Sequence, residues 1–93
     1  MLFIGLLTLD FLVPESSSLK QKRSIVKSLT SKIRNNFNAS VSEIANDKWQ
    51  HGQIGISILC NDSRFLDSQL RKVINFVESI GTVEILEFNI ETF

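Results

Sequence analysis

The chain contains one cysteine, one histidine, one proline, one tryptophan, four glycines and no tyrosine. A single cysteine, Cys60, excludes an internal disulfide framework and suits a reducing compartment, so a cytoplasmic protein is expected. The glycines are scattered. No GxGxxG or GxxxxGKS/T run occurs, so no phosphate-cradling nucleotide loop is supported. One histidine and one cysteine, without HxxxH or CxxC spacing, make no zinc set. No metal and no cofactor are expected. Long apolar runs are missing too. The opening "MLFIGLLTLDFLV" is interrupted by Asp10, lacks a basic leader and a small-residue cleavage pattern, and is too short to span a bilayer. It reads as a buried strand, and no membrane association is expected. The last absence is local: from Ser16 to Ser42 there is no acidic residue at all.

What is present is an ordinary globular composition, 43% hydrophobic and 22% charged over 93 residues. That is enough for one domain, residues 1–93, with one modest core. Ten acids balance ten bases, but unevenly, because residues 84–91 hold three glutamates and no base. The zero net charge conceals a polarised chain.

Residues 2–12 read as a first strand, with Phe3, Gly5, Leu7, Leu9 and Phe11 toward the core and Pro14 ending the ladder. Ser18 and Gln21 fit a capping box that opens a helix. Leu19, Val26, Leu29, Ile33 and Phe37 form its buried stripe, and the helix is expected to end near Asn35–Asn36 in a left-handed residue. A weak strand over 38–46 and a turn at Asn46-Asp47-Lys48 follow. The clearest strand, 50–60, alternates Ile54, Ile56, Ile58 and Cys60 with Gln53, Gly55, Ser57 and Leu59. Asn61, Asp62 or Ser63 caps a second helix whose stripe is Leu66, Leu70, Val73, Val77 and Ile80, with Gly81 just past its end. The last strand, about 82–91, slips its alternation between Ile85 and Leu86, the mark of a bulge. The order β-α-β-β-α-β predicts an α+β ferredoxin-like sandwich: a four-stranded antiparallel sheet, ordered 4-1-3-2, with two helices on one face.

The motif "SLKQKR-x3-KSL" (Ser18–Arg23, Lys27–Leu29), with "FN-x-SV-x-E" (Phe37–Glu43), "WQ" (Trp49-Gln50) and "ND" (Asn61-Asp62), resembles the YlxP-like family of small bacterial proteins of unknown function. Gln21 stands where that family usually has a glutamate, which makes the helix more basic still. The resemblance implies the same fold and a bacterial cytosolic protein. Family members often sit beside translation and ribosome-maturation genes, and no catalytic residue carries over.

Six cations and no acid lie in residues 16–34: Lys20, Lys22, Arg23, Lys27, Lys32 and Arg34. Lys20, Lys27 and Arg34 are seven apart and form a row with Arg23 beside it, expected on the side opposite the core stripe. Such a row suits a phosphate backbone, whose counterions lysine and arginine displace. The plain alternative is a solvated face, although solvated faces usually mix charges at i,i+4. Lys22 and Lys32 flank the stripe and are expected to snorkel. On the uncovered sheet face, the central strands offer Leu2, Ile4, Leu6, Gly55, Ser57 and Leu59. None is an aromatic on which a base would stack. Leu2, Ile4, Leu6 and Leu59 instead form an apolar patch expected to bury in a homodimer. Asp10 and His51 meet at the strand ends and resemble an acid–base pair, but no nucleophile is placed beside them, so a catalyst is not expected. Trp49 reads either as an interface anchor or as a cap on the core edge. The expected function is an RNA- or ribosome-associated accessory factor binding through Lys20, Arg23, Lys27 and Arg34. The alternative is a homodimeric protein-interaction module with neither nucleic-acid nor catalytic activity.

Overall fold

In the computed structural model, which describes Met1–Phe93, the elements run β1 (Phe3–Leu12), α1 (Leu19–Asn36), β2 (Ser40–Ile44), β3 (His51–Cys60), α2 (Ser63–Ile80) and β4 (Glu84–Thr92). The strands form one antiparallel sheet in the order β2-β3-β1-β4. Both helices cover the same face of it and share one core of 17 buried residues. This is the expected ferredoxin-like sandwich. No helix is long and apolar enough to cross a membrane.

The two central strands are specified by their period of two. Leu7 pairs with Ile56 and Leu9 with Ile54, all fully buried beneath the helices. Each large aliphatic residue buried in this way contributes roughly 1.5–3 kcal/mol of transfer free energy. Gly5 occupies a core position because α2 comes too close for a side chain. A Cβ there would lie 2.7 Å from Leu70 Cδ1 and 2.9 Å from Leu66 Cδ1.

Side chains and glycine set the helix ends. Ser18 Oγ accepts from the Gln21 N–H at 3.0 Å, and the Gln21 side-chain oxygen accepts from the Ser17 N–H at 2.7 Å. The capping box is therefore displaced by one residue on its return leg. Asp62 caps α2, accepting from the Arg64 and Phe65 N–H groups at 2.9 and 3.1 Å. Gly81 leaves α2 at φ 79°, in the left-handed region. α1 ends differently from expectation. Phe37 is extended (φ −135°), closes the helix through its N–H on the Ile33 carbonyl at 2.9 Å, and packs its ring edge-on against Phe76 at 5.5 Å. An aromatic anchored in the core, rather than a left-handed asparagine, turns the chain.

β2 is shorter than expected, five residues, with Val41 alone in the core. β4 shifts register opposite Asp10 and Phe11, which pair with Glu87 and Ile85 and leave Leu86 as the bulged residue. The slip read from the sequence is this bulge.

Candidate functional site

At 100° per residue, Lys20, Arg23, Lys27 and Arg34 fall within about 60° of one another on α1, so the row exists as spaced. It is not opposite the core, however. Ser24, Ser28, Ser31 and Asn35 hold that position, and the row is rotated from it by roughly 75° toward one flank. Arg34 shows which flank, because its guanidinium donates to the Val41 carbonyl of β2 at 2.7 Å. The row therefore runs beside the sheet edge at β2. Arg34 is partly committed there, while Lys20, Arg23 and Lys27 are exposed. The chain has one ion pair, Asp67–Arg71, and one close Asp10–His51 contact, and neither touches α1. No carboxylate lies within ion-pair distance of this flank, and the nearest acid on β2 is the exposed Glu43, which shares the helix-covered side of the sheet with Val41.

Lys22 does not snorkel. It is 1% exposed, and its Nζ donates to the Asn46 side-chain oxygen (2.9 Å), the Asn46 carbonyl (3.2 Å) and the His51 carbonyl (3.1 Å). All three ammonium hydrogens have partners, which is what makes a buried lysine tolerable. The sequence carried a signal for this: Lys22 lies on the core stripe itself, four residues before Val26 and seven before Leu29. The stem packs like an aliphatic residue while the head clamps the β2–β3 turn.

That clamp fixes α1 against β2. From Lys22 to Arg34 the helix rises about 18 Å, and from Asn46 back to Val41 an extended chain covers about 16 Å. The two segments therefore run antiparallel side by side, with Lys22–Asn46 and Arg34–Val41 as the end ties. The first turn of α1, with Lys20 and Arg23, sits at the end that bears the Asn46–His51 turn. In that turn the Asn46 side-chain oxygen also accepts the Lys48 N–H at 2.8 Å, and the Gln50 amide donates to the Ser16 carbonyl at 3.0 Å. Trp49 lies between these two anchored residues and is 58% exposed.

The uncovered sheet face divides along the strands. At one end Ile4, Leu59 and Phe93 are exposed, with Leu2 just outside β1 and Leu6 half-buried. Phe93 was not anticipated. It extends the β4 ladder by a reciprocal pair of backbone bonds with Ile4 at 2.8 and 2.9 Å, beyond the expected strand end. In the middle, Thr8, Gly55, Ser40, Ser42 and Ser57 leave a shallow polar floor. At the other end lie Asp10, Gln53, His51 and, on β4, Glu84 and Glu87. The central strands present no phenylalanine, tyrosine or tryptophan there, and the β4 glutamates repel phosphate.

Asp10 and His51 do meet. His51 pairs with Leu12 and Asp10 with Gln53, which makes the two diagonal neighbours on one face. Nε2 lies 2.5 Å from Oδ1, and the side chains are 25% and 27% exposed. Asp10 Oδ1 and His51 Nδ1 are both buried, and neither has a hydrogen-bond partner. Cys60 lies at the far end of β3. No group of three or more His, Cys, Asp or Glu side chains is placed to hold a metal ion.

The comparisons with known proteins agree on fold and kinship. A designed protein, the de novo Foldit4, superposes with a TM-score of 0.55 at 8% identity, covering 100% of this chain and 97% of that one. This likeness concerns the fold alone. The uncharacterized protein YlxP of Bacillus subtilis (strain 168) is 30% identical over 82 residues, covering 87% of this chain and 89% of that protein. Residues 4–90 match the family model described as "Protein of unknown function (DUF503)". The chain, with its clamped turn and basic flank, belongs to the DUF503, YlxP-like family.

Proposed function

We propose that the α1 flank binds RNA through its phosphates and that the protein is an RNA- or ribosome-associated accessory factor. One observation carries this reading: Lys20, Arg23 and Lys27 are exposed on one flank, and no carboxylate lies within ion-pair distance of them. A helix that only needed solvation would gain from acids at i,i+4, and α1 has none. Binding is sequence-independent in this reading, because phosphates position a protein without specifying bases. Arg34 lies at the far end of the row, with one N–H held by Val41. Anisotropy titration of cellular RNA fragments at several salt concentrations tests the proposal. Three neutralised phosphates predict a log–log salt slope of roughly −2 to −3. Lys20→Glu/Lys27→Glu abolishes the slope with the fold unchanged by circular dichroism. Salt-independent binding, or none at low salt, sinks the proposal.

A second reading concerns the uncovered sheet face. Ile4, Leu59 and Phe93, with Leu2 and Leu6, form an apolar end that suits a second copy of the chain. Sedimentation at increasing concentration, with Leu59→Asp as the disrupting variant, reads this out. A monomer throughout rejects it.

A further inference from the structure

The α1–β2 ties set the first turn of α1 at the same end of the molecule as the Asn46–His51 turn that carries Trp49. We propose that this end takes an unpaired stretch of RNA, one base stacked on the Trp49 indole and the adjoining phosphates on Arg23, Lys20 and Lys27. This rests on the phosphate-binding reading and adds the kind of RNA that fits. Asp47 offsets Lys48 within the turn, so the surplus positive charge comes from α1.

Three features favour a single strand. First, the indole is exposed but its backbone is held. Asn46 accepts from both Lys22 and the Lys48 N–H, and Gln50 is tied to Ser16. A ring presented from fixed neighbours loses little freedom on stacking. Second, the sheet face that RNA-binding domains of this topology use has no stacking ring on its central strands and carries acids on β4. A stacking ring is therefore sought elsewhere, and Trp49 is the exposed aromatic in the turn at the end where α1 begins. Third, a duplex buries the faces of its bases, whereas an unpaired strand offers a face to an indole and its backbone to a cationic row at once.

Trp49 is the chain's single tryptophan, so intrinsic fluorescence reports this residue alone. The experiment titrates the full chain with a short oligouridine and, separately, with a blunt RNA duplex, following tryptophan fluorescence and RNA anisotropy together. The expected result is saturable quenching by the oligouridine and none by the duplex. Trp49→Ala is expected to weaken oligouridine binding about 5- to 150-fold, the worth of one base–aromatic stack. Trp49→Phe should recover part of it, and duplex affinity should not change. Trp49 is exposed, so both variants should fold, and circular dichroism checks this. Salt-dependent oligouridine binding without quenching, equal in wild type and Trp49→Ala, overturns the stacking site and leaves the phosphate-binding reading standing. Absence of RNA binding in both titrations overturns both.

Discussion

Replacing Lys22 by methionine tests the clamp that holds the β2–β3 turn on α1. The lysine is 1% exposed, and its ammonium donates to three uncharged oxygens at 2.9, 3.1 and 3.2 Å, with no carboxylate in the set. Hydrogen bonds to a charged group contribute about 1.5–3 kcal/mol each, a gross of about 4.5–9 kcal/mol for three. Removing an ammonium from water costs several kcal/mol in return. The balance is a few kcal/mol in favour of the lysine. Methionine keeps most of the stem's packing but deletes the donors. The Asn46 and His51 oxygens then depend on water at a partly open turn. A net loss of about 2–3 kcal/mol is expected, which for a domain of this size lowers Tm by about 8–24 °C at about 4–8 °C per kcal/mol. Thermal unfolding by circular dichroism measures the shift, and amide exchange over 46–51 should show the turn opening before the whole molecule. An unchanged or higher Tm would refute the reasoning. It would mean that desolvation of the ammonium cancels the three bonds, as happens when apolar residues replace some buried ion pairs.

Asp62→Ala removes both capping bonds of α2 and should cost about 1 kcal/mol, read as a lower urea midpoint; no change would show that another group takes over the cap. Gly5→Ala forces a methyl against Leu66 and Leu70 and should destabilise by about 1–3 kcal/mol, and a neutral result would mean that those leucines give way freely. A double-mutant cycle on Asp10→Asn and His51→Gln should return a coupling below about 1 kcal/mol, because the pair is partly solvated. A coupling above about 2 kcal/mol would call for a stronger role than this geometry supplies. Arg34→Ala should leave stability within about 1 kcal/mol but raise light scattering on mild heating, by uncovering the Val41 carbonyl on the edge. Equal scattering would show that Arg34 does not guard the edge.

The strands were legible because alternation in β1 and β3 records burial on one face alone, and the Ile85–Leu86 slip recorded the bulge in the same way. Helix stripes and caps were legible for a similar reason, since each is decided by neighbours in sequence. What escaped depended on contacts distant along the chain. Phe37 turns the chain because it meets Phe76, which no local propensity reveals. Lys22 looked like a surface cation because its acceptors lie 24 and 29 residues away. The basic row was found, but its direction was set by the Arg34–Val41 bond across to another element. Trp49 stood out as a residue, while the position of its turn at the end where α1 begins required the antiparallel register of α1 and β2.

The two borders of the sheet have a consequence for self-association. β2 is short, and Arg34 occupies one of its carbonyls; β4 is broken by a bulge at Leu86 and bears Glu84, Glu87 and Glu91. Neither border is a clean template on which another chain could add a strand. End-on elongation, the step that turns folded sheets into fibres, is thereby hindered at both sides. In the proposed pairing through the uncovered face, two copies consume the surface that joins them. An association of that kind would close on itself instead of growing into an open filament.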